Sequence, residues 1–405
     1  MRPIVIIFSV IIFLSIIPIP YELFGVNLEG YLFLISLPYL NYNRIGKIYK
    51  RLFVFLLIFI LYYIIFLIWD LMFDKEVFSL LHLLKIILLF LMAISLNNTN
   101  EILFIIRSLL IAILISSIIG FLIFIFGEPF AGFRKSLYLD LTGFVFYSQG
   151  MRIAGLSKTL FTFSYQLSIL PLILLFFYQK NKSKLYLSLM FFSIIIILLN
   201  GERSSLIFPA LAMFFLLKKW SKSYVQIAAI TFFIGLSGFL VLNSEILNIK
   251  GNSIERLFGG GKSSNEYRLL KQVAAVKSVF NNPITGGNQL EYRKVMIEMT
   301  NWDPHSSAHN SYIRVAENIG VIGFFLVFIF FKELLILSKK TLKKYKFSAD
   351  IKLVQLLVYS LMSVTLVGFF HNDGFFAGER ISVILLSLLI SMYYKPIEIK
   401  RTSLI

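Results

Sequence analysis

The sequence predicts an all-α polytopic membrane protein of about twelve transmembrane helices, and three observations carry that expectation. Of 405 residues, 58% are hydrophobic and only 15% charged, with a mean hydropathy of +0.83. Apolar runs of near-span length recur from one end of the chain to the other. Lys and Arg gather in alternate connections between those runs. A water-soluble fold has no place for 43 Phe among so much Ile and Leu, whereas lipid accepts apolar side chains on every outward helix face.

A hydrocarbon core of about 30 Å needs about 20 apolar residues per helix. The first run, 3 to 20, follows Met1 and Arg2; no small-residue cleavage site succeeds it, so it reads as a span rather than a signal peptide. The runs 24 to 41, 52 to 69, 77 to 96 and 102 to 126 follow, each bounded by charge or by Pro, Gly and Asn. Next come 159 to 178, 185 to 200 and 205 to 217, the last two separated by a very short turn, and then 224 to 243. After a long polar interval the runs 315 to 331, 353 to 370 and 378 to 394 complete the set. No internal repeat, low-complexity tract or soluble appendage interrupts this pattern, so residues 1–405 read as one integral domain.

Twelve spans with a cytoplasmic N-terminus place Arg44, Lys47, Lys50 and Arg51, then Lys180, Lys182 and Lys184, then Lys218, Lys219 and Lys222 on the inside. The run Lys332 to Lys352 and the tail with Lys395, Lys400 and Arg401 fall there too. The short opposite connections at 21–23, 70–76, 201–204 and 371–374 hold only Lys75 and Arg203. The positive-inside rule then sets both termini in the cytoplasm. It also accounts for the net charge of +18 without nucleic acid as a partner. With no Cys, disulfides, thiolate metal sites and a Cys nucleophile are excluded. Gly261-Lys262-Ser263 resembles the end of a phosphate-binding P-loop, but Arg256 stands where that motif needs its earlier Gly.

Two outer connections are long, 127–158 and above all 244–314, and loops of that length are usually functional. The second contains a helix-like stretch, Glu266 to Phe280, stopped by Asn281-Asn282-Pro283 and followed by Gly286-Gly287, so a partly helical outer loop is expected between spans nine and ten. Charges in or beside apolar runs are Glu29, His82, Lys85, Arg107, Arg203, Arg314, Glu317, Glu379 and Arg380. Lys85 and Arg107 fit snorkelling, Glu379 and Arg380 fit anchoring of the last span, and His82 fits an interhelical hydrogen bond. Arg203 breaks the inside bias: in Gly201-Glu202-Arg203-Ser204-Ser205 it offers forked donors for a phosphate or carboxylate, or pairs with Glu202.

The richest segment runs from His305-Ser306-Ser307-Ala308-His309-Asn310-Ser311-Tyr312 through Arg314, Glu317 and Asn318 to Gly320-Val321-Ile322-Gly323. An imidazole at the outer mouth of a helix has the right proton affinity to take a proton from a sugar hydroxyl, and equally serves as a cap or a solvated residue. Gly320 and Gly323, one turn apart, allow another helix to approach closely. Asp303, His305 and His309 have no diagnostic metal-ligand spacing, and no metal is expected.

His309-Asn310 followed by Gly320-x-x-Gly323, after a large outer loop late in a twelve-span chain, resembles the hallmark of the O-antigen polymerase and O-antigen ligase superfamily. Gly201 to Ser205 is similar to that family's Arg-bearing turn, and Tyr267-Arg268 with Asn282-Pro283 and Gly286-Gly287 resembles the segment carrying its second Arg. Gly286-Gly287-Asn288 replaces the more usual Gly-x-Gly, which leaves Arg256 and Arg293 as alternatives to Arg268. Arg152 with Gly155 matches a weaker pattern of the family.

The resemblance implies a GT-C-like membrane glycosyltransferase in a bacterial cytoplasmic (inner) membrane, its site facing the periplasm or exterior. The implied donor is an undecaprenyl-diphosphate-linked oligosaccharide, with no cofactor and no metal; membrane lipids and a chain-length regulator protein are the implied partners. In that scheme His309 is the base, Arg203 and Arg268 stabilise the departing diphosphate, and Asn310, Tyr312, Glu317 and Arg152 bind substrate. Direct displacement would invert the anomeric centre. The resemblance favours a polymerase of polysaccharide repeat units, such as those of O-antigen or capsule, over a ligase that transfers glycan to lipid A-core. A twelve-span transporter is the reading from another class. It would be expected to show symmetry between halves and polar groups at mid-membrane, whereas this chain gathers its polar residues in outer connections.

Overall fold

The computed structural model describes residues 2–17, 22–23, 26–43, 49–73, 80–127, 153–157, 159–220, 262–287, 289–301, 310–371 and 374–396. Helices occupy eleven of the twelve expected span positions, and 224–243 lies outside the described residues. Among the described residues, four helices are long and apolar enough to cross a membrane: Thr99–Phe126, Leu160–Asn181, Val321–Lys344 and Ile351–Phe370. Shorter apolar helices fill most of the other positions, and Arg203–Trp220 carries Lys218 and Lys219 in its last turn.

The chain folds into two compact units that alternate along the sequence. The first comprises Met1–Leu37, Leu103–Asn265 and Met362–Val367. It opens with α1 (Pro3–Ile16), whose proline suits the first helical turn because no intrahelical N–H is needed there. A two-residue hairpin, β1 (Glu22–Leu23) and β2 (Val26–Asn27), pairs Glu22 with Asn27 and Leu23 with Val26, and α2 (Leu28–Ser36) packs back on α1. The longest helix, α5 (Thr99–Phe126), enters this unit from Leu103 onward, after α3 (Tyr49–Phe73) and α4 (Leu80–Ile94) of the other unit.

The centre of the first unit is α6 (Leu160–Asn181), flanked by α7 (Lys184–Asn200) and α8 (Arg203–Trp220). Thr159 caps α6 by accepting from Thr162 N at 3.1 Å. Lys182, at φ 53°, closes it and donates its N–H to Tyr178 O, and Ser183 at once caps α7, so a two-residue link suffices for an antiparallel pair. Phe163, Tyr165, Leu167, Leu170, Leu172 and Phe177 are fully buried around the helix, as expected of one apolar on every face. The Arg107 guanidinium lies 5.6 Å from the centre of the Phe177 ring, which holds a charge expected to snorkel.

The second unit comprises Pro38–Ile102, Glu266–Leu361 and Gly368–Ile405. It contains α3, α4, α9 (Lys262–Asn281), α10 (Gln289–Thr300), α11 (Ser311–Ile319), α12 (Val321–Lys344), most of α13 (Ile351–Val367) and α14 (Arg380–Tyr394). Its core is aromatic: Phe59 lies within 6.2 Å of the Phe90, Phe330 and Phe376 rings, and Phe55 meets Phe330 edge to face. Such pairs add to burial because a ring's positive edge meets another's negative face. These phenylalanines therefore pack inside the protein. The outward stripe of α12 is instead Ile322, Phe325, Phe328 and Leu335, spaced as one helix face and exposed as lipid-facing side chains would be.

Glu379 caps α14, accepting from Ile381 N at 3.1 Å, Ser382 N at 2.7 Å and Ser382 Oγ at 2.5 Å, which matches its expected anchoring of the last span. At the other end of that helix Lys395 pairs with Asp350 at 3.3 Å and touches Thr99 Oγ1, while Lys344 Nζ donates to Tyr393 O at 2.6 Å. These contacts tie the ends of α12 and α14 to the starts of α5 and α13.

Candidate active site

The segment expected to form one span from 315 to 331 is broken. Helix α11 ends at Ile319, Gly320 adopts φ 72° and ψ −155°, and α12 starts at Val321. That backbone region is essentially open to glycine alone. The expected close approach does occur at Gly320 and Gly323, but a turn and the helix's own predecessor make it rather than another span. A Cβ at Gly320 would lie 2.3 Å from Pro283 O, and one at Gly323 would lie 2.6 Å from Val315 O. Val321 N donates to Pro283 O at 2.8 Å, so the carbonyl of the turn caps the new helix.

Gly286, at φ 78°, meets this joint from the other side: a Cβ there would lie 2.2 Å from Glu317 O. One at Gly287 would lie 2.3 Å from Ser278 Oγ. Asn282-Pro283, Gly286-Gly287 and Gly320-x-x-Gly323, far apart in sequence, are thus one main-chain junction. Gly320→Ala is expected to destabilise the protein by about 2 kcal/mol or more, read as a lower melting temperature in detergent, because strain and collision add.

The outer loop folds where it is described. Helix α9 covers the expected 266–280 stretch and stops at Asn281. Helix α10, which the sequence reading did not anticipate, buries Tyr292, Val295 and Met296 against Ala274 and Ala275 of α9, with Ile313 of α11 packed alongside. The alanines let the helices come close.

On α11, Asn310 is the cap residue: its Oδ1 accepts from Tyr312 N at 3.0 Å and Ile313 N at 3.1 Å. Ser311 Oγ donates to Gly368 O at 2.9 Å. The Tyr312 ring sits 4.8 Å from Phe331 and 4.6 Å from Phe369, and burial pushes its phenol up. Asn318 Nδ2 donates to Tyr62 OH at 2.8 Å. Glu317 is buried, and desolvation raises its carboxyl to about 7 against the pull of the Arg314 charge. Tyr292 OH is buried with no hydrogen-bond partner among the described residues, and its phenol is pushed up by burial, then by Glu317 and Tyr267.

Next to Tyr267, Arg268 is half-buried on α9, and Lys271 one turn on is 93% shielded from solvent, its relative exposure being 7%. Burial lowers the Lys271 proton affinity first, and the Arg268 charge lowers it further. Arg268 and Lys271, three residues apart, lie on one face of this helix. Sequence reasoning missed Lys271; its spacing of three from Arg268 was the available signal. Arg293, the alternative loop arginine, is half-buried on α10.

The second unit therefore brings Arg268, Asn310, Tyr312 and Glu317 onto the packed helices α9, α10 and α11. Arg203 belongs to the first unit, half-buried as the first residue of α8 behind buried Glu202, in the turn that Gly201 opens at φ 72°. His309 and Arg152 lie outside the described residues, as do Arg256, His305 and Asp303. Among the described residues no group of three His, Asp or Glu could hold a metal ion.

Glu317 imposes a pH dependence. Its folded-state value of about 7 exceeds the ordinary 4.5, so the native protein holds the proton that the unfolded chain releases between those values. The contribution of Glu317 to stability is then fully present below about 4.5 and is lost as pH rises through about 7, a change of up to about 3 kcal/mol. In detergent, the melting temperature of the wild type relative to Glu317→Gln is expected to fall as pH rises from about 4.5 to about 7.

Among known protein families, residues 188–328 fit the family model described as O-antigen ligase. The matched stretch begins in α7, takes in the Arg203 turn and the long connection 244–314, and ends within α12. It supports the resemblance to the O-antigen polymerase and ligase superfamily. No curated protein and no solved structure matches the chain.

Proposed function

We propose that this chain, whose residues 188–328 match the O-antigen ligase family, is a polysaccharide repeat-unit polymerase of a bacterial inner membrane. It takes a glycan from undecaprenyl diphosphate and joins it to a sugar hydroxyl of a second lipid-linked repeat unit on the outer face. The hydroxyl oxygen attacks the anomeric carbon, the bond from that carbon to the phosphate oxygen breaks, and the diphosphate leaves on its lipid. His309 takes the hydroxyl proton. Arg203 and Arg268, the latter with Lys271 beside it, bind phosphate oxygens and stabilise the charge that grows on them. Tyr312 and Glu317 shape the acceptor side with Asn310, and Arg152 adds to the donor side. Displacement by a hydroxyl without an enzyme-bound intermediate inverts the anomeric centre.

The observation that carries this reading is the Arg268–Lys271 pair on the outer-loop helices, held against α11 within a stretch that matches a glycan-transferring family. Guanidinium and ammonium groups both donate to phosphate oxygens, and the donor's leaving group supplies them. The match adds nothing to a transporter reading. The family leaves the acceptor open between a repeat unit and lipid A-core, and the polymerase is preferred on the general resemblance of the His309 region and the last two spans.

The test is reconstitution with lipid-linked oligosaccharide and no nucleotide. A ladder of longer lipid-linked glycans is expected, with inverted linkage by NMR. Transfer only to lipid A-core would make the protein a ligase, and no transfer to either would remove the reading.

A further inference from the structure

The first unit holds a polar cluster that the reaction scheme leaves unused. Asn200, the last residue of α7, is fully buried at the end of an apolar run. Burying an amide without partners costs several kcal/mol, so where its polar atoms go matters. Its Nδ2 donates to Ile153 O at 2.7 Å, and Ile153 N donates back to Leu199 O at 3.3 Å. Its Oδ1 lies 3.4 Å from Ser164 Oγ on α6 and 3.4 Å from Ser205 Oγ on α8. Each hydroxyl gives its single proton to a nearer carbonyl, Ser164 Oγ to Leu160 O at 3.0 Å and Ser205 Oγ to Glu202 O at 2.7 Å, so both are longer polar contacts at Oδ1.

The segment that Asn200 grips is itself fastened. Leu156 N donates to Ser116 Oγ at 2.9 Å, and Gln166 Nε2 donates to Ser157 Oγ at 2.8 Å. Gly155, at φ 57°, is pressed so close that a Cβ would lie 2.5 Å from Phe163 and from Ser116 Oγ. One side chain thus joins α6, α7, α8 and residues 153–157. Capping of α7 does not require it, because Gly201 ends that helix in the left-handed region. What it does secure is the position of the turn that carries Arg203, three residues on.

We propose that Asn200 is a positioning residue acting through Arg203: it fixes the Gly201–Ser205 turn to residues 153–157, so that the guanidinium meets the donor's phosphate at a set place. The inference rests on the reading of Arg203 as a phosphate-binding group. A shift of about 1 Å in such a group is enough to lose a large part of its effect. The same bond makes one structure of two sequence features that looked separate, the Arg203 turn and the segment after Arg152.

The test measures binding of undecaprenyl diphosphate to the purified full-length protein in nanodiscs. Asn200→Ala, Ser205→Ala, Arg203→Ala and the double variant Asn200→Ala/Arg203→Ala are compared with wild type, each with a melting curve. Asn200→Ala is expected to weaken binding about tenfold, the scale of one lost buried hydrogen bond, and Ser205→Ala less in the same direction. The double variant is expected to bind no more weakly than Arg203→Ala alone. A purely structural asparagine would lower melting yet leave the effects additive. Wild-type affinity in folded Asn200→Ala, or additivity in the double variant, overturns the proposal. Where Asn200→Ala fails to fold, Ser205→Ala decides alone, and wild-type affinity there overturns it. Unchanged affinity in Arg203→Ala sinks the phosphate role of Arg203 and the positioning role with it. The expected binding pattern without any glycan ladder upholds Asn200 and removes the polymerase reading instead.

Discussion

Arg203→Ala and Arg268→Ala are each expected to cut glycan transfer by about 10²–10³-fold, the scale for removing one donor from a developing negative charge. The loss should appear chiefly in kcat, because the leaving diphosphate carries more charge in the transition state than in the bound donor. Lysine at position 203 keeps the charge and loses the fork, so Arg203→Lys should recover only part of the rate. Lys271 sharpens the contrast on the other side. Its burial beside Arg268 means that Lys271→Met removes a desolvated cation at little cost to packing, and transfer should fall while expression holds. Full turnover in Arg203→Ala or Arg268→Ala, measured by radiolabelled glycan ladders, removes that arginine from the mechanism.

His309→Ala is expected to reduce transfer by about 10²–10⁴-fold, the range for a positioned general base. The rate in the wild type should fall as the medium is acidified below about pH 6.5, where an ordinary imidazole takes up its proton. The adjacent Asn310 supplies the control. Its Oδ1 is committed to the first turn of α11, so Asn310→Asp keeps the cap and Asn310→Ala costs about 1 kcal/mol of stability. Asn310→Asp is therefore expected to keep the melting temperature of wild type while Asn310→Ala lowers it. Wild-type turnover in His309→Ala ends the base assignment.

The helices were legible because each apolar run is nearly as long as its span and ends at a charge, a proline or a glycine; Thr159 and Ser183 even mark the starts of α6 and α7. The run from 315 to 331 misled, since hydropathy does not register a backbone break and Gly320 was read for its size instead of its left-handed φ. Helix α10 escaped notice because its buried Tyr292, Val295 and Met296 alternate with Glu291, Arg293 and Lys294 at the surface of a polar loop. The Arg268 region was found by resemblance, yet Lys271 beside it was not, because exposure is a tertiary property and a lysine in a helix ordinarily faces water. Asn200 was passed over as the end of a span. Its significance depends on Ile153, Ser164 and Ser205, which no local pattern brings together.

The junction of Pro283, Gly286, Glu317 and Gly320 is made of carbonyls, an amide and the absence of Cβ atoms. An attachment of that kind is indifferent to what the surrounding side chains are, as the outward-facing Ile284 illustrates. Substitutions at exposed positions around it can then change the surface without disturbing the frame, provided Gly286 and Gly320 stay.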